Sequence, residues 1–432
     1  MTTTGTADPL DGEFLAELDQ RLIAADRDLA ELYPGDSGTR QPVHTVYVPA
    51  DRFGADTAAD WGRAAVAALD ADGTDPGTLA DATGIPLAVV TDVLPRVRGK
   101  LAREPVEDLR IDFEDGYGSH PDDVEDAAAQ AAANALAQSI SAGGAPPFFG
   151  IRFKSLEAPT RRRGLRTLGL LVSGLIDQLG GKLPAGFVVT LPKVTSVDQV
   201  AAMVAVCDRL ESATGLPAGR LLFEIQVETP QAVLGPDGAA TVARMVHAAG
   251  ARCCGLHYGT YDYSAALGVA AAYQSMEHPV ADHAKAVMQL AAAGTGVRLS
   301  DGSTNVLPAG DRDAVHRAWR LHARLVRRSL ERGFYQGWDM HPAQLPTRYL
   351  ATYAFFRQGL PAALDRLRAY LAKADSGADS GMLDEPATAQ ALAAFVVRGL
   401  DCGAVDPEEV TDSGGPGRET LDRLGRRLTN ST

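Results

Sequence analysis

Short apolar strands alternate with longer helical stretches from residue 43 to beyond residue 350, and this alternation constrains the fold more than any other feature of the chain. The strands read 43–49 (VHTVYVP), 109–114 (LRIDFE), 148–153 (FFGIRF), 187–192 (FVVTLP), 220–228 (RLLFEIQVE), 252–258 (RCCGLHY), 296–300 (GVRLS) and 335–340 (YQGWDM). Helical periodicity falls near 57–70, 122–140, 161–179, 196–211, 239–249, 263–293, 311–332 and 343–357. Alternation of this kind implies right-handed βαβ crossovers and a parallel sheet. Eight such units predict an α/β fold, a (β/α)₈ TIM barrel, which typically spans ~250 residues and accepts insertions. A doubly wound open sheet is the alternative. No G-x-G-x-x-G follows the first strand, so its dinucleotide-binding form lacks support.

The barrel is expected over 43–357, with additions on both sides. Residues 1–42 hold an amphipathic helix at 11–32, with Leu15, Leu18, Leu22, Ile23, Leu29 and Leu32 at helical spacing, and a turn-rich linker, YPGDSGTRQP. The first crossover carries an insertion at 71–108 with its own helical pattern, TLADATGIPLAVVTDVLPRVRGKL. Residues 358–432 form a helical extension, patterned near 361–373 and 387–400 around the loop ADSGADSGMLDEP. Lys plus Arg number 41 and Asp plus Glu 55, a formal charge of −14, which disfavours a nucleic-acid surface. No apolar run approaches the ~20 residues that cross a bilayer. The opening MTTTGTADPLDGEF lacks the basic n-region of a secretory signal. Cys207, Cys253, Cys254 and Cys402 make no disulfide framework, so a cytoplasmic protein without membrane partners is expected.

Active sites of such barrels sit at the C-terminal ends of the strands. The first strand is followed by Asp51 and Arg52, and the second runs into Asp112, Glu114 and Asp115. The third delivers Arg152 and Lys154, the fourth Lys193 and the fifth Glu228. The sixth leads to Tyr258, Tyr261 and Asp262, the seventh to Asp301, and the eighth to Asp339 and His341. Glu228 and Asp262 follow neighbouring strands. Two carboxylates so placed can hold one Mg²⁺, with water and substrate oxygens at its other positions; the bland alternative is a pair of surface or N-cap acids. Arg152 suits bidentate capture of a carboxylate, or equally an internal ion pair with Asp112 or Glu114. Period-two geometry puts Asp112 and Glu114 on one face, where an acid must be paired or metal-linked. Lys193 neutralises this acidic ring or forms a structural ion pair. His341 is a candidate base, with a helix-start hydrogen bond as the commoner fate.

Taken in order, YVPADR at 47–52, IDFEDG at 111–116, IRF at 151–153, LPKV at 191–194, VETPQAV at 227–233, YGTYDYSAALG at 258–268 and MHPAQL at 340–345 give the chain a family look. It resembles the superfamily of citrate lyase β-subunits, malyl-CoA and citramalyl-CoA lyases and class II 2-keto-acid aldolases. The resemblance implies a phosphoenolpyruvate/pyruvate-type TIM barrel. It implies that Glu228 and Asp262 bind Mg²⁺ (or Mn²⁺) and that Arg152 grips the carboxylate and developing oxyanion of a keto acid. Asp112, Glu114 and Asp115 would line the site and hold metal waters, with Lys193 beside them and Tyr258 and His341 as further substrate contacts. The free-pyruvate aldolases carry His where this chain has Asp115, which favours the lyase-like branch. The first-crossover insertion and the N-terminal helix depart from the compact members.

The activity so implied is Mg²⁺-dependent carbon–carbon cleavage or condensation, giving a 2-keto acid and an acetyl-type fragment from a small-molecule keto acid or acyl-CoA. A class II aldolase acting on a free hydroxy-keto acid would use the same metal pair, as would an acyl-CoA thioesterase. A barrel that only binds a partner protein is the non-enzymatic alternative. The resemblance also implies a homo-oligomer, a trimer or hexamer, with the C-terminal helices as subunit contacts.

Overall fold

All eight apolar runs form strands in the computed structural model, which describes residues 10–376 and 385–425. Residues 1–9, most of the expected loop at 374–386 and residues 426–432 lie outside the description. The strands are β1 (His44–Pro49), β2 (Asp108–Asp112), β3 (Phe148–Arg152), β4 (Phe187–Leu191), β5 (Leu222–Val227), β6 (Cys253–Tyr258), β7 (Arg298–Ser300) and β8 (Gly337–Asp339). Every pairing is parallel, in the order β7-β6-β5-β4-β3-β2-β1-β8. A single bridge, Ser300 to Gln336, joins β7 to the approach of β8 and nearly closes the ring. The fold is an α/β TIM barrel with helical additions.

Both faces of each strand are buried, because helices cover the outside and side chains fill the inside. The outward layer is apolar: Val46, Val48, Ile111, Ile151, Val189, Phe223, Ile225 and Leu256 are buried. The inward layer is polar. Arg110 donates from Nη2 to Glu224 Oε2 at 2.9 Å and from Nε to Thr190 Oγ1 at 3.1 Å, and pairs with Asp108. His257 Nε2 lies 2.9 Å from Glu224 Oε2. Charges inside a barrel must be paired, and these are.

The N-terminal helix spans Gly12–Leu32, capped by Asp11, whose carboxylate accepts the Phe14 N–H at 3.0 Å. The insertion folds as two helices, Pro76–Thr83 and Leu87–Arg103, and buries Leu79, Val90, Val93, Val97 and Leu101. Two helical readings change. The stretch 263–293 splits into Thr260–Ala266, a 3₁₀ turn Ala271–Tyr273 and Pro279–Ala292. Gly268, at φ 74°, and Pro279 at the next helix start punctuate it. The stretches 343–357 and 361–373 are instead one helix, Leu345–Ser376, running through Pro361. Tyr349, Tyr353, Leu360, Leu364 and Leu367 bury on both sides of that proline, and this packing outweighs the lost backbone bond. The helix Pro386–Asp401 packs on its own chain through Ala389, Ala393, Val396 and Gly399. No single helix among the described residues is long and apolar enough to cross a membrane.

Gly150 sits where β3 meets β4, and a Cβ there would lie 1.7 Å from the Val188 carbonyl oxygen. Backbone cannot yield as a side chain does. Gly150→Ala is expected to lose about 3 kcal/mol of stability, read as a lowered urea midpoint. A wild-type midpoint would refute this account of the β3–β4 contact.

Candidate active site

Five consecutive strands, β2 to β6, present an acid-rich cluster at their C-terminal ends. Arg152, the last residue of β3, is buried and held from several sides. Its Nε and Nη2 donate to the two oxygens of Asp112, each at 2.7 Å. Its guanidinium lies over the Tyr47 ring at 4.6 Å and the Trp338 ring at 5.5 Å. Burial works against its charge, but Asp112 and Glu114 push its pKa far above the usual value. The Asp112 oxygens also accept the backbone N–H groups of Glu114 and Gly116, each at 3.0 Å. Two guanidinium and two backbone donors occupy this carboxylate. Asp112 therefore positions Arg152 and the β2 loop, and the ion pair takes up the Nε and Nη2 of the fork. Nη1 of Arg152 stands 3.5 Å from Glu114 Oε2, and is the part of the fork aimed at the cluster.

Lys193 stands at the centre of the acids. Its ammonium contacts Asp262 Oδ2 at 2.7 Å, Asp115 Oδ2 at 2.8 Å and Glu114 Oε1 at 3.0 Å. Its backbone N–H donates to Glu228 Oε1 at 2.7 Å. It is the one non-glycine residue of positive φ, 51°, among those described. A left-handed backbone is costly for a residue with a Cβ, so the surrounding contacts hold it there. Burial depresses the Lys193 pKa, but Glu114 and its neighbours outweigh this, and the net shift is upward.

Glu228 is buried, and among the described residues its side chain accepts one hydrogen bond, from the Lys193 N–H. Burial lifts its pKa from 4.5 to about 7, despite Lys193 and Arg152. Gly259, just past β6, permits this arrangement, since a Cβ there would fall 2.4 Å from Glu228 Cβ. Glu114 is raised in the same direction by burial. Asp115 is shifted down, because Lys193 offsets the penalty of burial. Glu228, Asp262 and Glu114 are hard oxygen donors around one point of positive charge. Among the described residues no three His, Cys, Asp or Glu side chains form a ready metal cage. Mg²⁺ is commonly held by one or two carboxylates plus water and substrate, and Glu228 and Asp262 are the carboxylates expected to hold it. The donor chemistry and the under-partnered Glu228 fit such an ion.

The structure thus brings together Arg152, Asp112, Glu114, Asp115, Lys193, Glu228 and Asp262. It does not bring in Tyr258 or His341. His257 faces inward to Glu224, so the alternation of a strand turns Tyr258 outward, against the Tyr263 ring and Lys285. Tyr258, expected as a substrate contact, thus lies apart from the cluster. His341 caps the turn Pro342–Gln344, its Nδ1 accepting the Ala343 N–H at 3.1 Å, and burial lowers its pKa. No hydrogen bond or ion pair among the described residues links it to the cluster. Lys154 anchors the loop after β2, donating to Phe113 O and Glu125. Asp339 is buried among His44, His322 and Arg348, and Asp301 bonds Lys285 and Ser329, so both serve the barrel wall. Sequence reasoning missed Tyr47 and Trp338, the aromatic faces that hold Arg152. The signal was present, since period two along YVP and GWD puts both inside the barrel.

Residues 22–428 match the family described as a domain of unknown function, DUF6986. The chain belongs to the DUF6986 family. No functionally curated protein matches it. A citrate lyase from Burkholderia xenovorans LB400 superposes with a TM-score of 0.54 at 19% identity, over 77% of this chain and 92% of that one. A Haloferax volcanii malate synthase lead(II) complex gives 0.49 at 14% identity, over 89% and 95%. An HpcH/HpaI aldolase/citrate lyase family protein from Burkholderia cenocepacia J2315 gives 0.36 at 15%, over 82% and 99%. This DUF6986 chain shares the TIM-barrel fold of the citrate lyase.

The raised Glu228 pKa has a consequence for stability. Between the unfolded value near 4.5 and the folded value near 7, the folded chain holds the proton more tightly. Stability from this group is present below the window and lost as pH rises through it. In metal-free buffer, Glu228→Gln should gain on wild type between about pH 5 and about pH 8, read from urea midpoints. A gap that does not change with pH would show that Glu228 is not held in this state.

Proposed function

We propose that this DUF6986 protein is a Mg²⁺-dependent carbon–carbon lyase that cleaves or forms the bond beside the carbonyl of a 2-keto acid, with an acetyl-type fragment as the other partner. The observation that carries this reading is the convergence of a fixed Arg152 with a buried, under-partnered Glu228 and the acids around Lys193. The ordered motif resemblance to citrate lyase β and malyl-CoA lyases supports it.

In this reading Glu228 and Asp262 hold the metal. When bound, Mg²⁺ supplies Lewis-acid polarisation of the substrate carboxylate and the adjacent oxygen. Arg152 contributes Nη1 as a fixed positive charge where the oxyanion develops, and little reorganisation is needed because Asp112, Tyr47 and Trp338 already hold the fork. Glu114 is the carboxyl placed to take up and return the proton, since Asp112 is fully occupied and burial raises the Glu114 pKa. Lys193 orients Glu114, Asp115 and Asp262 and keeps their mutual repulsion from opening the site.

Two measurements test this. Thermal shift of the full chain with Mg²⁺ and a panel of 2-keto acids, each with and without acetyl-CoA, should show stabilisation by a keto acid only when Mg²⁺ is present. A ligand at ~100 times its Kd stabilises by about 2.7 kcal/mol. A further shift with acetyl-CoA selects a thioester substrate, and its absence a free-acid aldolase. Glu228→Ala should abolish Mg²⁺-dependent turnover with the fold intact; wild-type turnover in that variant would remove Glu228 from the metal site.

A further inference from the structure

The N-terminal helix Gly12–Leu32 buries none of its residues against its own chain. It is tied down at its end, where the Tyr33 ring meets His247 at 5.4 Å and the Gly35 N–H donates to Gly294 O at 2.8 Å. Yet it carries large apolar side chains in solvent: Leu22 is 51% exposed and Leu29 61%, with Leu15 and Leu32 also exposed. Leaving such a stripe in water forgoes its burial energy, so it marks a contact surface.

The spacing of the stripe names its partner. Leu15, Leu18, Leu22, Ala25, Leu29 and Leu32 follow one another at intervals of three and four. That is a period of 3.5, the a and d seam of a coiled coil, with Phe14 and Ile23 exposed beside it. With Leu15 at a, the flanking g positions are Phe14, Arg21 and Asp28, and the e positions are Asp19, Asp26 and Tyr33. In a parallel pair of identical helices Arg21 faces Asp26 of the other copy, twice, and no like charges oppose. In an antiparallel pair the gain from Arg21 and Asp28 is offset by Asp19 facing Asp26, twice. Arg21 is free to turn, since its intrachain contact is a 3.8 Å pair with Glu17 in which both side chains are largely exposed.

We infer that the helix Gly12–Leu32 is a self-association element, pairing in parallel with the same helix of a second copy of this chain. The seam is two and a half heptads long, shorter than the three to four heptads that mark a coiled coil on sequence alone. The pairing is therefore concentration-dependent. The inference is independent of the catalytic reading, because none of these residues touches the acidic cluster.

The test compares full-length wild type with Leu22→Asp/Leu29→Asp by size-exclusion chromatography with light scattering at high micromolar concentration. The double variant should fall to half the wild-type mass, and at low micromolar concentration, where both run as single chains, its thermal unfolding should match wild type, because these side chains are exposed on their own chain. Equal masses, or a wild type that runs as a single chain, would overturn the inference. Direction is tested separately by mild oxidation with oxidised glutathione. Leu18→Cys, at a d position, should form a disulfide-linked dimer, while Ile23→Cys on the opposite face should not. Wild type is the background control, since Cys207, Cys253 and Cys402 are buried and Cys254 is half-buried. No cross-link from Leu18→Cys, or equal cross-linking from both, would overturn the parallel pairing.

Discussion

A guanidinium and a carboxylate buried at the top of the barrel, Arg152 and Asp112, organise what lies around them. Neither can fall back on water, so each must be satisfied by protein. Asp112 meets this by accepting two guanidinium N–H groups and two backbone N–H groups at once. The same bonds fix the fork of Arg152 and set the path of the chain after β2. That path carries Glu114 and Asp115 to Lys193, and Lys193 in turn reaches Asp262 and, by its backbone, Glu228. The acidic ring is thus one connected hydrogen-bonded structure, rooted in a pair that faces away from solvent.

Beneath it lies a second polar layer, Arg110, Asp108, Glu224, Thr190 and His257, packed inside the strands. A barrel filled with Val and Leu would avoid the desolvation that these groups cost. Here the aromatic rings of Tyr47 and Trp338 pack against each other and against the Arg152 guanidinium. The stacked arrangement leaves the upper arginine little room to change rotamer.

The eight strands were legible because each is an apolar run bounded by turn residues, and a parallel strand buried on both faces needs that composition. The acids and Arg152 were legible because strand ends collect chemistry in this fold. What position at a strand end does not reveal is which face a residue takes. Tyr258 ends β6 as Glu228 follows β5, but the pairing of β5 with β6 slips between Phe223 and Glu224, so parity cannot be carried across from one strand to the next. Asp112 posed a different difficulty. Its role depends on what its oxygens receive, and two of those four donors are backbone amides that no side-chain pattern records. The helix through Pro361 was obscured because tertiary burial overrode a local penalty.

The joint between β7 and β8 has no ladder of its own, only a bridge at Ser300 and Gln336 with backbone bonds from the Asp301 N–H to Gln336 O at 2.8 Å and from the Trp338 N–H to Gly302 O at 3.3 Å. The other seven neighbouring pairs are joined by parallel ladders. The acidic cluster sits on or just after β2 to β6, centred on the far side of the barrel from this joint, while Trp338, which lies against Arg152, belongs to β8. A hoop with one clasp yields first at the clasp. Distortion imposed on this barrel, by heat, by a cut in a loop or by a rearranged order of its βα units, would be absorbed there with few backbone bonds broken, and would reach the site through Trp338.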